Sequence, residues 1–160
     1  MTPRIELLPE KKLIGKHVTM SWADNKTGLL WGSFMPARKT ITNTVSPDLV
    51  SMTVYNDTHD FTKFDPRATF DKWAAVEVTN FDDVPQGMET FVLPQGLYAV
   101  FQYKGSSSEG ATFFSWIFTK WLPQSGYILD NRPHFEILGE KYKNNDPGSE
   151  EEIWIPVQSR

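Results

Sequence analysis

Glu77 keeps the most unusual company of any charged residue in this chain. Lys72 to Thr79 (KWAAVEVT) reads as a strand, in which alternate side chains share a face, so Trp73, Ala75 and Glu77 fall on one side and Ala74, Val76 and Val78 on the other. A carboxylate beside a tryptophan suits a pocket for a cation. Taking a charge out of water costs several kcal/mol, which an opposing charge offsets, and each aromatic face adds about 0.5–2 kcal/mol without demanding fixed hydrogen-bond geometry. Glu152, Trp154 and Pro156 form a second face of the same kind near the end of the chain. The aromatic lining is assigned to Trp73, Trp154, Trp31, Phe34, Tyr103 and Trp116, with Glu136 in His134-Phe135-Glu136-Ile137 as a second acid. In a hydrolase the same Glu77 would act as general acid or base, with Tyr103 or Tyr55 as the partner proton donor. The competing reading is a Glu77 on a solvent face, paired with a lysine.

Other chemistries lack their residues. There are no cysteines, and His17, His59 and His134 are scattered without metal-ligand spacing. Asp57, Asp60 and Asp65 lack the glycine and terminal glutamate of a calcium loop. Neither a phosphate-binding glycine loop nor a Gly-x-Ser-x-Gly elbow is present, so no metal or cofactor is expected. A net charge of −4 with no Lys/Arg stripe argues against a nucleic-acid partner and for a neutral or cationic small ligand. With 14% aromatic residues, some rings are available to line a pocket beyond those the core requires. The absence of an apolar run of about 18 residues speaks against a membrane span. Met1 to Lys12 has no signal-peptide core, which leaves the cytoplasm as the expected compartment.

The elements that would position these residues come in duplicate. At 160 residues the chain is expected to form one domain, 1–160, from pseudo-repeats of about 1–80 and 81–160. Leu29 to Pro36 echoes Trp116 to Pro123, with aromatics in the third and sixth places and proline in the eighth. Phe64-Asp65-Pro66 before the first Trp strand echoes Asn145-Asp146-Pro147 before the second. The first half predicts a strand over Lys12 to Ser21, a helix for which Asp24, Asn25 and Thr27 offer capping oxygens and which runs to Met35 or a little beyond, and strands over Leu49 to Tyr55 and Lys72 to Thr79. Pro36 predicts a kink or restart of that helix. Asn80 to Gln95 joins the halves and is expected to carry a strand of its own. The second half repeats the plan: a strand at Leu97 to Lys104, a Gly105 to Ser108 loop, and a helix from about Gly110 with Phe114, Ile117, Phe118, Trp121 and Leu122 as its apolar stripe. Strands at His134 to Gly139 and Glu152 to Gln158 close it, separated by the loop Lys143 to Ser149. The fold class is therefore α+β, a duplicated βαββ unit with an antiparallel sheet and two main helices. Glu77 is matched in the second copy by Pro156, which assigns the charged centre to the first half alone.

Three runs of the second half carry a family resemblance: Trp121 to Tyr127 (WLPQSGY), Arg132 to Glu136 (RPHFE) and Glu152 to Val157 (EIWIPV). They resemble the GyrI-like effector-binding domains, also called the bacterial transcription activator effector-binding family, in the style of its free-standing integron-associated and AraC-type members. Ala75 to Val78, Val84 to Phe91 and Tyr98 to Phe101 agree, so the resemblance covers nearly the whole chain. It implies a pseudo-twofold α+β domain with a ligand cleft at the junction of its halves. Relatives of this kind sense drugs or metabolites, often lipophilic cations, and many are fused to a helix-turn-helix domain. Met1 to Glu10 is too short for such a module, so three readings follow. The first is a free-standing multidrug-binding protein, the second a hydrolase of strained electrophilic natural products, and the third a sensor that docks on a separate transcription regulator.

Overall fold

The computed structural model describes residues 2–106, 109–143 and 146–160; Met1, Ser107, Ser108, Asn144 and Asn145, four of them in the expected loops, lie outside the described residues. The chain runs β1 (Arg4–Leu8), β2 (Lys11–Met20), α1 (Thr27–Ala37), β3 (Leu49–Tyr55), β4 (Phe70–Val78), β5 (Glu89–Leu93) and β6 (Gly96–Lys104). It continues with α2 (Gly110–Trp116), a π-helical turn (Ile117–Trp121), α3 (Leu122–Gln124), β7 (Tyr127–Leu129), β8 (His134–Leu138) and β9 (Glu150–Ser159). The first helix runs through Pro36 to Ala37, and only then tightens into a 3-10 turn over Arg38–Thr40, closed by the Ile41 N–H donating to the Arg38 carbonyl.

The strands form one antiparallel sheet in the order β1-β6-β9-β8-β3-β4-β2-β5, with β7 paired to β9. The seam between halves is the β8·β3 ladder, centred on Ser51 opposite Glu136. The leading strand of each half pairs with the other half: β1 lies beside β6 and β5 beside β2. Two residues, Pro9-Glu10 and Pro94-Gln95, make each crossing. Laid flat, β1 and β2 would stand six strand spacings, or ~29 Å, apart. The three peptide steps from Leu8 to Lys11 span at most ~11 Å. The sheet must therefore curl, and its concave inner face closes on itself.

Alternation along the strands gives the two faces separate cores. Inside the curl, Leu13, Val50, Met52, Trp73, Ala75, Tyr98, Val100, Phe135 and Trp154 pack with Leu8 and Leu93 of the crossed strands. Outside, α1 buries Leu30 and Phe34 against Ile14, Ala74 and Val76. The second helical segment buries Ile117 against Phe101, Ile153 and Ile155. The helices thus cover the flanks, and the central strands β3 and β8 lie between them. Among the described residues no helix is long and apolar enough to cross a membrane.

Candidate functional site on two faces of one sheet

The sheet separates the residues that the sequence groups together. Glu77, Trp73 and Trp154 point into the curl, where Glu77 takes Lys11 Nζ at 3.3 Å to both of its oxygens. That half-exposed pair is the lysine partnership of the competing reading, and screening by water keeps its contribution small. Trp73 lies against His17 (4.4 Å, stacked) and donates from Nε1 to Asp71 at 3.1 Å. His17 bridges Asp71 and Glu89, linking β2, β4 and β5. Burial opposes charging of that imidazole, but the two carboxylates outweigh it and raise its pKa. Trp154 stacks on Phe135 at 5.2 Å and donates to Glu152 at 3.2 Å. Burial alone would raise the pKa of Glu152; hydrogen bonds from Gln102, Arg4 and Trp154 lower it instead.

The registers fix which inner positions correspond. Leu13 faces Glu77 and Val50 faces Ala75 in the first half; Tyr98 faces Pro156 and Phe135 faces Trp154 in the second. Pro156 therefore stands where Glu77 does, and the two tryptophans sit one pleat apart rather than at equivalent places. The second half is also filled more tightly. Arg132 lies 4.7 Å over the Tyr98 ring, held by Asp130 at 2.8 Å and by the carbonyls of Leu97 and Val157. A Cβ on Gly96 would come within 2.1 Å of that guanidinium. Gly96→Ala is accordingly expected to cost on the order of 1–3 kcal/mol. An unchanged urea midpoint would show that Arg132 yields freely.

The outer face between the helices holds a different constellation. Lys72 (β4) is 8% exposed and donates to Thr53 Oγ1 (β3) at 3.1 Å. Glu136 (β8) and Glu151 (β9) supply the nearby carboxyls. Burial lowers the pKa of Lys72, and the two glutamates oppose that shift. Burial, then the hydrogen bond to Glu136 and its charge, pushes Glu151 up to about 9, against the pull of Lys72. Burial and the neighbouring Glu136 thus favour the protonated form of Glu151, and no N–H or hydroxyl donor among the described residues reaches its buried Oε2. Tyr55 and Tyr142 border the pair, their hydroxyl pKa values raised by burial and then by the carboxylate charges. Aromatic rings wall one side: Tyr55, His59, Phe61 and His134 contact one another, with His134 stacked on Phe61 at 5.1 Å. Burial drops the pKa of His134 to about 3, so it packs there as a neutral ring. The wide π turn carries Phe118 onto this wall, 5.1 Å from Phe61 and 6.0 Å from His134.

Among the other expected residues, Glu136 and Tyr55 belong to this outer constellation, and Tyr103 faces Glu151 across the β6·β9 ladder. The Tyr103 hydroxyl donates to the Ser106 carbonyl at 2.8 Å. The sheet lies between Glu77 and both tyrosines. Trp31 and Phe34 pack under α1, and Trp116 under α2 against Phe101 and Phe113. Sequence reasoning missed Lys72, Glu151 and Tyr142. The first two carried a signal: Lys72 extends the apolar face of Ala74, Val76 and Val78 backwards, and Glu151 does the same for Ile153, Ile155 and Val157. Each is a lone charge on a buried face. Among the described residues no group of three or more His, Asp or Glu side chains is arranged to hold a metal ion.

Comparison with known proteins places this geometry in a family. Residues 1–158 match the GyrI-like small molecule binding domain. The transcriptional regulator BrlR of Pseudomonas aeruginosa is 27% identical over 158 residues, 98% of this chain, but the chain spans only 56% of that relative's length. The fold matches the structure of SAV2435 bound to tetraphenylphosphonium with a TM-score of 0.72 at 15% identity, covering 99% of this chain and 94% of that one. It also matches a hydrolase encoded by lin2189 from Listeria innocua, with a TM-score of 0.65 at 16% identity, covering 98% and 92% respectively.

Proposed function

The chain belongs to the family of GyrI-like small molecule binding domains, and we propose that its ligand is a hydrophobic or amphipathic cation held between the two helices, over Glu136 and Glu151. One observation carries this reading: Lys72 and the carboxyls of Glu136 and Glu151 lie together on the helix-covered face beside the ring cluster of Tyr55, Phe61 and His134, with burial raising the pKa of Glu151. Burial works against charge on both Lys72 and Glu151, which limits the charge that this buried cluster holds. An arriving cation favours the ionised form of Glu151, so binding releases a proton and the site becomes anionic as the ligand docks. Tyr55, Phe61 and Phe118 supply faces that accept flat or tetrahedral cations without strict geometry. The tetraphenylphosphonium held by one fold relative is a ligand of this class. The likeness to a transcriptional regulator supports a sensor whose occupancy is passed to a regulator partner.

Tetraphenylphosphonium is the probe for this reading. Its affinity, measured by calorimetry, is expected to fall at least tenfold in Glu136→Gln, which keeps the shape and removes the charge. Equal affinity in wild type and variant would take Glu136 out of the role. A second reading is favoured by the carboxyl pair itself. A neutral Glu151 hydrogen-bonded to Glu136 is the arrangement of a general acid beside a base, and one fold relative is a named hydrolase. Incubation with strained electrophiles, followed by mass spectrometry, separates binding from turnover.

A further inference from the structure

We propose that the cavity inside the curled sheet is a second ligand site, separate from the one between the helices, and that it takes a monocation with an aliphatic tail. The cavity measures about 640 Å³, within the 300–1,000 Å³ range of small-molecule sites. It exists because the duplication is unequal. Where the second half packs Tyr98 and Phe135, the first has the smaller Leu13 and Val50, which leave space, and Glu77 in place of Pro156 brings a charge to its edge.

The lining sets the chemistry of the occupant. Its walls are mostly aliphatic, from Leu8, Leu13, Val50, Leu93 and Ile137, with the stacked Phe135 and Trp154 at one end. Such walls suit methylene chains, in contrast to the aromatic wall between the helices. Four carboxylates reach the cavity, from Glu6, Asp48, Glu77 and Glu152. Arg4 pairs with Glu6 at 3.1 Å and with Glu152 at 3.0 Å, and Lys11 pairs with Glu77. Among the described residues no cation pairs with Asp48. Four anions against two cations leave the cavity negative, and Asp48 is the carboxylate free to receive an ammonium head. This assignment does not rest on the reading of the helix-side site, because the sheet lies between the two.

Dodecyltrimethylammonium, kept below its micelle concentration and added to the full chain, tests the assignment through methyl NMR of Leu13, Val50 and Ile137. Saturable shifts at these methyls are expected, with the dissociation constant raised at least fivefold in Asp48→Asn and in the cavity-filling Leu13→Phe, and unchanged in Glu136→Gln. Amide spectra of each variant verify the fold, and the isosteric Asp48→Asn serves if the filled variant unfolds. Absence of shifts at the three methyls overturns the proposal. So does binding that Glu136→Gln abolishes and Asp48→Asn leaves intact, since the surfactant would then occupy the helix-side site. Loss of tetraphenylphosphonium binding in Glu136→Gln tests the other reading separately.

Discussion

Lys72→Met is expected to destabilise the fold by about 3–5 kcal/mol, the usual cost of removing one partner from a buried charge cluster. Lys72 is nearly inaccessible, and its ammonium faces Glu136 and Glu151. Methionine keeps most of the volume, so the loss is electrostatic and not a cavity effect. At about 2–4 °C per kcal/mol for a chain of this size, thermal unfolding should move down by roughly 10 °C. The double variant Lys72→Met/Glu136→Gln is expected to recover most of that loss, because it removes the carboxylate left without a counter-charge. A single variant that costs less than about 1 kcal/mol would mean that the glutamates do not depend on Lys72. A double variant no better than the single would place the damage in packing.

The separation of the two faces explains what the sequence does and does not disclose. Strand alternation correctly groups Trp73 with Glu77 and Glu152 with Trp154, and those groups do share the inner face. Alternation is a property of one strand, however, and says nothing about which face of a curled sheet the helices cover. Glu136 and Glu77 look equivalent in sequence yet lie on opposite sides. The crossed connections hide a further part of the plan. β1 is five residues long, and its partner is β6, some ninety residues on, so no local pattern marks it. A trace was present in Leu8-Pro9-Glu10 against Leu93-Pro94-Gln95, the repeated links at which each half hands its leading strand to the other. Glu151 was masked by its neighbours Glu150 and Glu152: a run of three acids reads as a solvated entry to a strand, although its middle member lies on the helix-covered face with Ile153, Ile155 and Val157 and is pulled towards the protonated form by burial. β7 is three residues long and is held by β9 alone, too short for a periodic signal.

Glu151 should also make stability and ligand affinity depend on pH in opposite directions. Its pKa is about 9 in the fold against 4.5 for an unperturbed glutamate, so between those values the native state holds a proton that the unfolded chain has released. Linkage then lowers stability as pH rises through this window, by up to about 1.4 kcal/mol per pH unit. The stabilising contribution is complete below pH 4.5 and lost above 9. Glu151→Gln mimics the protonated form at every pH and removes the slope. Urea midpoints of wild type and variant are expected to agree near pH 5 and to separate by pH 8, the variant being more stable by at least about 2 kcal/mol. Parallel pH profiles would show that Glu151 titrates normally. Tetraphenylphosphonium affinity should run the other way, since the cation prefers the ionised acid: up to tenfold tighter per pH unit between 7 and 9 in the wild type, and flat in Glu151→Gln. A wild-type affinity independent of pH would mean that the ligand's charge is met elsewhere.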